Sequence, residues 1–250
     1  MSTDWPASTA RVVLAEIDST NAHAARRAPD MAGPEWILAL AQTQARGRRG
    51  RKWLNPGGNF SATYLTRPSD PLPRVALRSF VAALALFDTF VAVSGRPEGF
   101  ALKWPNDVLL NGGKVAGILL ESNGRGGKID YLAIGIGVNL VQAPDIGDVE
   151  PQALRPVSLL SETGVRVSPE EFLDILAPAY ERWEQQFLTM GFDPIRTAWL
   201  ARAARLGDAV TARTGKTVVT GTFQTVDAEG NLILSTAKGR VAIAAAEIYF

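Results

Sequence analysis

DVLLNGGKVAGILLES, residues 107–122, sets two apolar runs on either side of Asn111-Gly112-Gly113. Asn-Gly readily supplies the left-handed backbone of a tight hairpin turn. The stretch therefore reads as strand DVLL (Asp107 to Leu110), turn, and strand KVAGILLES (Lys114 to Ser122). The pattern spreads outward from there. ALKW (Ala101 to Trp104) is a short strand upstream, and a turn at NGRGG leads downstream into the strand IDYLAIGIGVNL (Ile129 to Leu140). RVVLAEI (Arg11 to Ile17), WILALAQT (Trp36 to Thr43) and the alternating NFSATYLT (Asn59 to Thr66) read as three more. Ser19 or Thr20 is placed to cap a short helix through Arg27. Arg74 to Val93 predicts a long helix, and Val141 to Pro156 reads as loop. Ser168-Pro169-Glu170-Glu171 opens another helix, with a cap, a proline at the first position and an acid in the capping-box place. Phe172, Leu176, Tyr180, Trp183 and Phe187 then form one apolar stripe, and a last helix is predicted from about Pro194 to Arg205. Hairpin-joined strands with helices outside them give an α+β class.

After Leu206-Gly207-Asp208 the pattern changes to short strands split by turns: VTART, TVVTGTFQTV, NLILST and VAIAAAEIY. This predicts a small five-stranded barrel and a division into residues 1–204 and 205–250. Lys+Arg total 26 against 25 for Asp+Glu, so there is no basic surplus of the kind a dedicated nucleic-acid binder carries. With no cysteine, disulfides, a thiol nucleophile and thiolate metal sites are excluded. A single histidine, His23, cannot build a multi-histidine metal site. The start, MSTDWPASTARVVL, lacks a signal-peptide pattern. The apolar segment Phe80 to Val93 is interrupted by Asp88 and reads as too short to span a bilayer. A soluble cytoplasmic protein without a membrane partner is expected.

Between two of the strands lies ARGRRGRKW, residues 45–53, in which five of the seven residues from Arg46 to Lys52 are cationic and two are glycine. Arginine forks match carboxylate and phosphate oxygens. Interleaved glycines let backbone N–H groups approach an anion. Three readings compete: a solvated basic turn, a nucleic-acid contact, and a lid that binds phosphate and carboxylate. Elsewhere, KWPNDVLLNGGKVAGIL brings Lys103, Asn106, Asp107 and Lys114 onto or beside one hairpin. IGIGVNL carries two glycines in a strand, which costs stability unless something must approach the backbone.

Taken in order, EIDSTN, QTQARGRRGRKW, KWPNDV, GKVAGILLE, IGIGVNL and the small β module resemble the biotin protein ligase family over nearly the whole chain. The resemblance implies a mixed sheet with packed helices followed by an SH3-like barrel. It implies a two-step reaction in which biotin and ATP give biotinyl-5′-AMP and the biotinyl group passes to a lysine of a biotin carboxyl carrier domain of an acyl-CoA carboxylase. Mg²⁺ is implied as activator, with no tightly bound prosthetic group. Residue by residue, Ser19, Thr20, Asn21 and Gln42 match the biotin end of the pocket. Arg46, Gly47 and Arg48 match the loop over biotin and the acyl phosphate, and Arg51 and Trp53 match the phosphate and adenine side. Lys114 matches the lysine beside the reacting carboxylate and phosphate, so Lys114, Arg46 and Arg48 are the implied catalytic residues. Gly117 and Gly135 are expected to allow close approach to the ligand. Asn106, Asp107 and Asn139 are candidates for the nucleotide, with Asp107 also the candidate for a metal.

Ala45 departs from the family loop, which commonly has glycine there; were that glycine at positive φ, alanine would be strained. About ten residues precede the first strand, so a form without the family's N-terminal DNA-binding domain is expected, and no DNA partner. Homodimers occur in the family, and Ile129 to Leu140 is the strand offered as a pairing edge. The alternatives are a lipoate or octanoate ligase or transferase of the same fold, an inactive homologue that binds biotin without ligating it, and a nucleic-acid module using Arg46 to Lys52.

Overall fold

Seven strands make one mixed sheet in the order β1-β2-β3-β7-β6-β5-β4. They are β1 (Ala10–Ile17), β2 (Glu35–Gln42), β3 (Phe60–Thr66), β4 (Phe100–Lys103), β5 (Asp107–Leu110), β6 (Gly113–Arg125) and β7 (Lys128–Val138). The computed structural model describes residues 4–54, 56–125, 128–148, 154–215 and 217–249. The tip of the turn at NGRGG, residues 126–127, and part of the loop after β7, residues 149–153, lie outside them. β1 and β2 run parallel, which requires a crossover, and α1 (Thr20–Arg27) supplies it. The other neighbours are antiparallel. β7 lies between β3, which pairs it over Leu132–Val138, and β6, so that part of the strand offered as a pairing edge is interior to the sheet.

The two faces of the sheet differ. On one, Leu132, Ile134, Ile136 and Val138 of β7 join Phe60, Ala62 and Tyr64 of β3 in the main core. They pack beneath α3 (Arg78–Ser94), α5 (Pro169–Met190) and α6 (Phe192–Leu200). Ser168 caps α5 in a reciprocal box with Glu171. Phe172, Leu176, Tyr180 and Phe187 are fully buried, and Trp183 is partly buried beside them. Burying Phe172, Leu176 and Phe187 contributes roughly 1.5–3 kcal/mol each. On the opposite face a smaller cluster of Ala24, Ala28, Met31, Ile37, Leu65 and Ala133 seats α1. The alternation in β3 therefore does not mark a solvent face, because Ser61 and Thr63 are buried on the α1 side.

The predicted helix at Arg74 is two: α2 (Leu72–Ala76) meets α3 at Leu77. Together they make a 23-residue apolar stretch, Leu72–Ser94, longer than the sequence reading gave it and long enough to cross a bilayer by length and composition. It is instead a core helix, with 72% of its most apolar window buried within the fold. α6 ends at Leu200 rather than near Arg205, because the chain leaves the helix to pair with β4: Leu102 N donates to Arg202 O and Ala204 N to Leu102 O, both at 2.8 Å. A short helix absent from the sequence reading, α4 (Leu159–Thr163), is capped by Ser158.

The C-terminal strands β8 (Ala209–Arg213), β9 (Val218–Val226), β10 (Leu232–Thr236), β11 (Gly239–Ile243) and β12 (Glu247–Tyr249) form an antiparallel sheet in the order β11-β10-β9-β8-β12. VAIAAAEIY is thus two strands, not one. They lie at opposite edges of the sheet and are joined by residues 244–246, so the sheet must curl back on itself, as an SH3-like module does. Its Val210, Phe223, Leu232 and Leu234 continue the main core.

Candidate active site

On the α1 side of the sheet, at the N-terminal end of that helix, lies a cavity of about 630 Å³. Every residue singled out from the sequence lines it, from Ser19 to Asn139. Local geometry explains how. Residues of β7 alternate, so Gly135 and Gly137 face the cavity while Ile134 and Ile136 face the core. β6 would place Lys114 on the core side by the same count. A register shift opposite Val108/Leu109 inserts Val115 as an extra residue and turns Lys114 to the same side as Gly117.

At one end the floor is neutral and hydrogen-bonded. Ser19 caps α1, and Gln42 Oε1 accepts from Thr20 N at 2.8 Å. Asn21 is buried; its Oδ1 accepts from Thr63 Oγ1 at 2.6 Å. Its Nδ2 donates to Leu119 O at 3.3 Å and to Glu121 Oε2 at 2.8 Å. Gly135 serves this residue: a Cβ there would stand 2.5 Å from Asn21 Oδ1, so the missing side chain makes room for the asparagine amide in the first place, not for a ligand. Gly117 and Gly137 face one another across β6 and β7, and Trp53 lies over both.

The other end is charged. Lys114 Nζ lies 2.7 Å from Asp107 Oδ1 and Lys103 Nζ lies 3.9 Å from Asp107 Oδ2. Burial pushes the Asp107 carboxyl up, but Lys114, Lys103 and Arg48 outweigh it and hold it below its ordinary range. Burial pushes Lys103 down, against the opposing pull of Asp107. Arg48 is lowered by burial too, and its Nη1 donates to Asn106 Oδ1 at 3.0 Å. Asn106 is itself fixed by donating Nδ2 to Ile118 O at 2.7 Å. Asn139 is nearly enclosed and donates Nδ2 to Val157 O, so its amide first secures the segment whose Arg155 O and Val157 N pair with Lys114.

The basic loop closes on itself. Gly47 N donates to Arg51 O at 2.7 Å and Trp53 N to Ala45 O at 3.0 Å. Arg49 and Gly50 take the left-handed turn, with φ of 59° and 72°. Ala45 is not among the positive-φ residues, so the alanine carries no such strain. The arginines turn to carboxylates around the cavity: Arg46 to Glu121, and Arg49 and Arg51 to Glu247 of β12. That arrangement points the loop inward, against the solvated-turn and nucleic-acid readings.

Sequence reasoning noted Lys103 and Gly137 but gave them no site role, and it missed Glu121 and Glu247. Gly137 stood two residues from Gly135 on the same strand face, a signal that was present. Glu247 carried none, since it reaches the loop from the last strand. The donor set does not fit a resident metal. Among the described residues no group of three or more His, Cys, Asp or Glu side chains gathers, and Asp107 already faces two lysines.

The profile of the Biotin/lipoate A/B protein ligase family matches residues 13–139, and that of the Biotin protein ligase C terminal domain matches residues 206–250. Over 238 residues the chain is 56% identical to the Biotin--[acetyl-CoA-carboxylase] ligase of Paracoccus denitrificans, covering 95% of this chain and 99% of the relative. It is 30% identical over 242 residues to the Bifunctional ligase/repressor BirA of Bacillus spizizenii, covering 95% and 73%. The biotin protein ligase from Aquifex aeolicus, solved in complex with biotin and ATP, superposes with a TM-score of 0.79 at 26% identity over 96% of this chain and 97% of that one.

Proposed function

Because this chain belongs to the Biotin/lipoate A/B protein ligase family, we propose that it activates biotin with ATP as biotinyl-5′-AMP and transfers the biotinyl group to a lysine of a biotin carboxyl carrier domain. The observation that carries this reading is the charge layout of one cavity. Four cationic side chains (Arg48, Arg51, Lys103, Lys114) face two carboxylates (Asp107, Glu247) at one end, while at the Ser19–Gln42 end the floor is neutral and Arg46 is matched by Glu121. A neutral, hydrogen-bonding end suits biotin's ring system, and the cationic end suits a carboxylate meeting a triphosphate.

In the first step a biotin carboxylate oxygen bonds to the α-phosphorus of ATP and the bond to pyrophosphate breaks. Two anions must approach, and Lys114, Arg46 and Arg48 offset their repulsion. Asp107 holds the Lys114 ammonium at the point where it is needed. Arg51 and Trp53 take the phosphate and adenine side. In the second step the carrier lysine, as free amine, attacks the acyl carbon and AMP departs with the electron pair of the broken C–O bond. Catalysis by this chain is positioning and charge stabilisation. Mg²⁺ would come with the phosphates of ATP, as a hard cation with substrate oxygens does. A carrier domain of an acyl-CoA carboxylase as acceptor, and the cytoplasm as location, belong to the same proposal.

The test is biotin-dependent exchange of labelled pyrophosphate into ATP, with Mg²⁺ and no carrier, repeated with lipoate. Exchange with biotin only is the expected result. Exchange with lipoate only would overturn the substrate, and exchange with neither would overturn the activity.

A further inference from the structure

Glu121, on β6, lies outside the lining of the cavity but is bonded to two residues that line it. Its Oε2 accepts from Asn21 Nδ2 at 2.8 Å and from Arg46 Nη2 at 3.2 Å, and its Oε1 accepts from Arg46 Nε at 3.3 Å. The two partners differ in kind. Asn21 is floor: buried, with its amide orientation set by Thr63 and Leu119 and its packing space supplied by Gly135. Arg46 is lid, on an exposed loop that meets the sheet's own strands through Glu121 at this end. An ionised carboxylate offers two oxygens and about four lone-pair sites, and here both oxygens are used. An amide in its place could keep one oxygen between Asn21 Nδ2 and Arg46 Nη2, but it would turn an NH₂ toward Arg46 Nε and remove the charge that holds the guanidinium.

We propose that Glu121 is a positioning residue that couples the biotin-end floor to the basic loop, acting through Asn21 and Arg46 without touching substrate. It fixes which way the Arg46 fork points. Without it, Arg46 loses its ion pair and belongs to a loop carrying four other cations. The inference rests on the assignment of the Ser19–Gln42 end to biotin.

The test uses Glu121→Gln and Glu121→Ala in the full chain, with pyrophosphate exchange at varied biotin and at varied ATP, and the rate at which pre-formed biotinyl-AMP escapes. The expected result for both variants is a biotin KM raised roughly tenfold, equivalent to about 1.4 kcal/mol, faster escape of adenylate, and an unchanged ATP KM and melting temperature. Adding Arg46→Ala to Glu121→Ala should cost less than the sum of the two single changes. Glu121→Gln is nearly isosteric and keeps the test open should Glu121→Ala fold poorly. A normal biotin KM and normal retention in Glu121→Gln would overturn the proposal. So would an ATP KM raised as much as the biotin KM, which would mean a generally loosened site. Wild-type protein without biotin-dependent exchange would sink the functional reading itself, and this coupling with it.

Discussion

Trp53 rests on a patch of sheet from which two facing side chains are missing, and the two glycines are not equivalent. A methyl group on Gly137 would stand 2.6 Å from Trp53 Cε2, 2.7 Å from Nε1 and 2.8 Å from Cζ2. On Gly117 the nearest indole atom, Cζ3, would be 3.3 Å away. Carbon pairs prefer about 3.5–4.0 Å, so Gly137→Ala forces the ring back by about 1 Å and Gly117→Ala by a few tenths. Neither glycine is at positive φ, so the backbone accepts alanine and the cost is steric. Overpacking of this sort costs about 1–3 kcal/mol. At 1.4 kcal/mol per tenfold, that is a factor of about 5 to 140. The ring also sits 5.6 Å from Lys114 Nζ, centroid to nitrogen, so its displacement disturbs the charged end rather than the Ser19–Gln42 end. Pyrophosphate exchange at varied ATP should therefore show a KM raised by that factor in Gly137→Ala, a small change in Gly117→Ala, and an unchanged KM for biotin in both. Equal effects from the two alanines, or an effect on biotin instead of ATP, would refute the assignment of Trp53 to the nucleotide side.

Lys114→Ala removes the charge paired with Asp107 and should slow adenylate formation by about 10²–10³-fold with the fold intact by circular dichroism; a wild-type single-turnover rate would remove Lys114 from the chemistry. Arg48→Gly breaks the bond to Asn106 and should let biotinyl-AMP escape, read as biotin on bystander lysines; undiminished retention of the adenylate would dismiss the lid. Ala45→Gly adds unfolded-chain freedom at a position that needs no left-handed backbone, so urea stability should fall by about 0.4–1 kcal/mol, and a gain would reveal hidden strain. Glu184 is pushed above its ordinary pKa by burial, against the pull of Arg78. A raised folded pKa means stability that is full below the unfolded value and is lost as pH rises through the folded one. Wild type should lose up to about 1.4 kcal/mol per pH unit from this group on rising from about pH 4.5, and Glu184→Gln should flatten that slope in urea midpoints; parallel slopes would show that Glu184 does not titrate there.

What was legible in the sequence was what neighbouring residues spell together. Asn111-Gly112-Gly113 fixes a hairpin by its own backbone preferences, and Ser168 to Glu171 caps a helix with groups three residues apart. Most cations of the site share this advantage, since four of the six that line the cavity stand within one loop. What aims them does not. Glu121 meets Arg46 from 75 residues away and Glu247 meets Arg51 from 196, through sheet register and through the last strand. No spacing rule spans those distances. Lys114 shows the same limit within a single strand: alternation counted back from Gly117 sends it to the core, and only an extra residue, visible from the partner strand, turns it to the cavity. Gly135 was found for an incomplete reason, because a bare strand position looks the same in sequence whether a ligand or the amide of Asn21 fills the space. Two residues alike in the sequence, Arg46 and Arg49, thus answer to different parts of the fold: one to the floor beneath α1, the other to the C-terminal sheet. A loop held at both ends by carboxylates from separate elements is oriented by the assembled fold, and that orientation separates a substrate lid from a basic turn of the same composition.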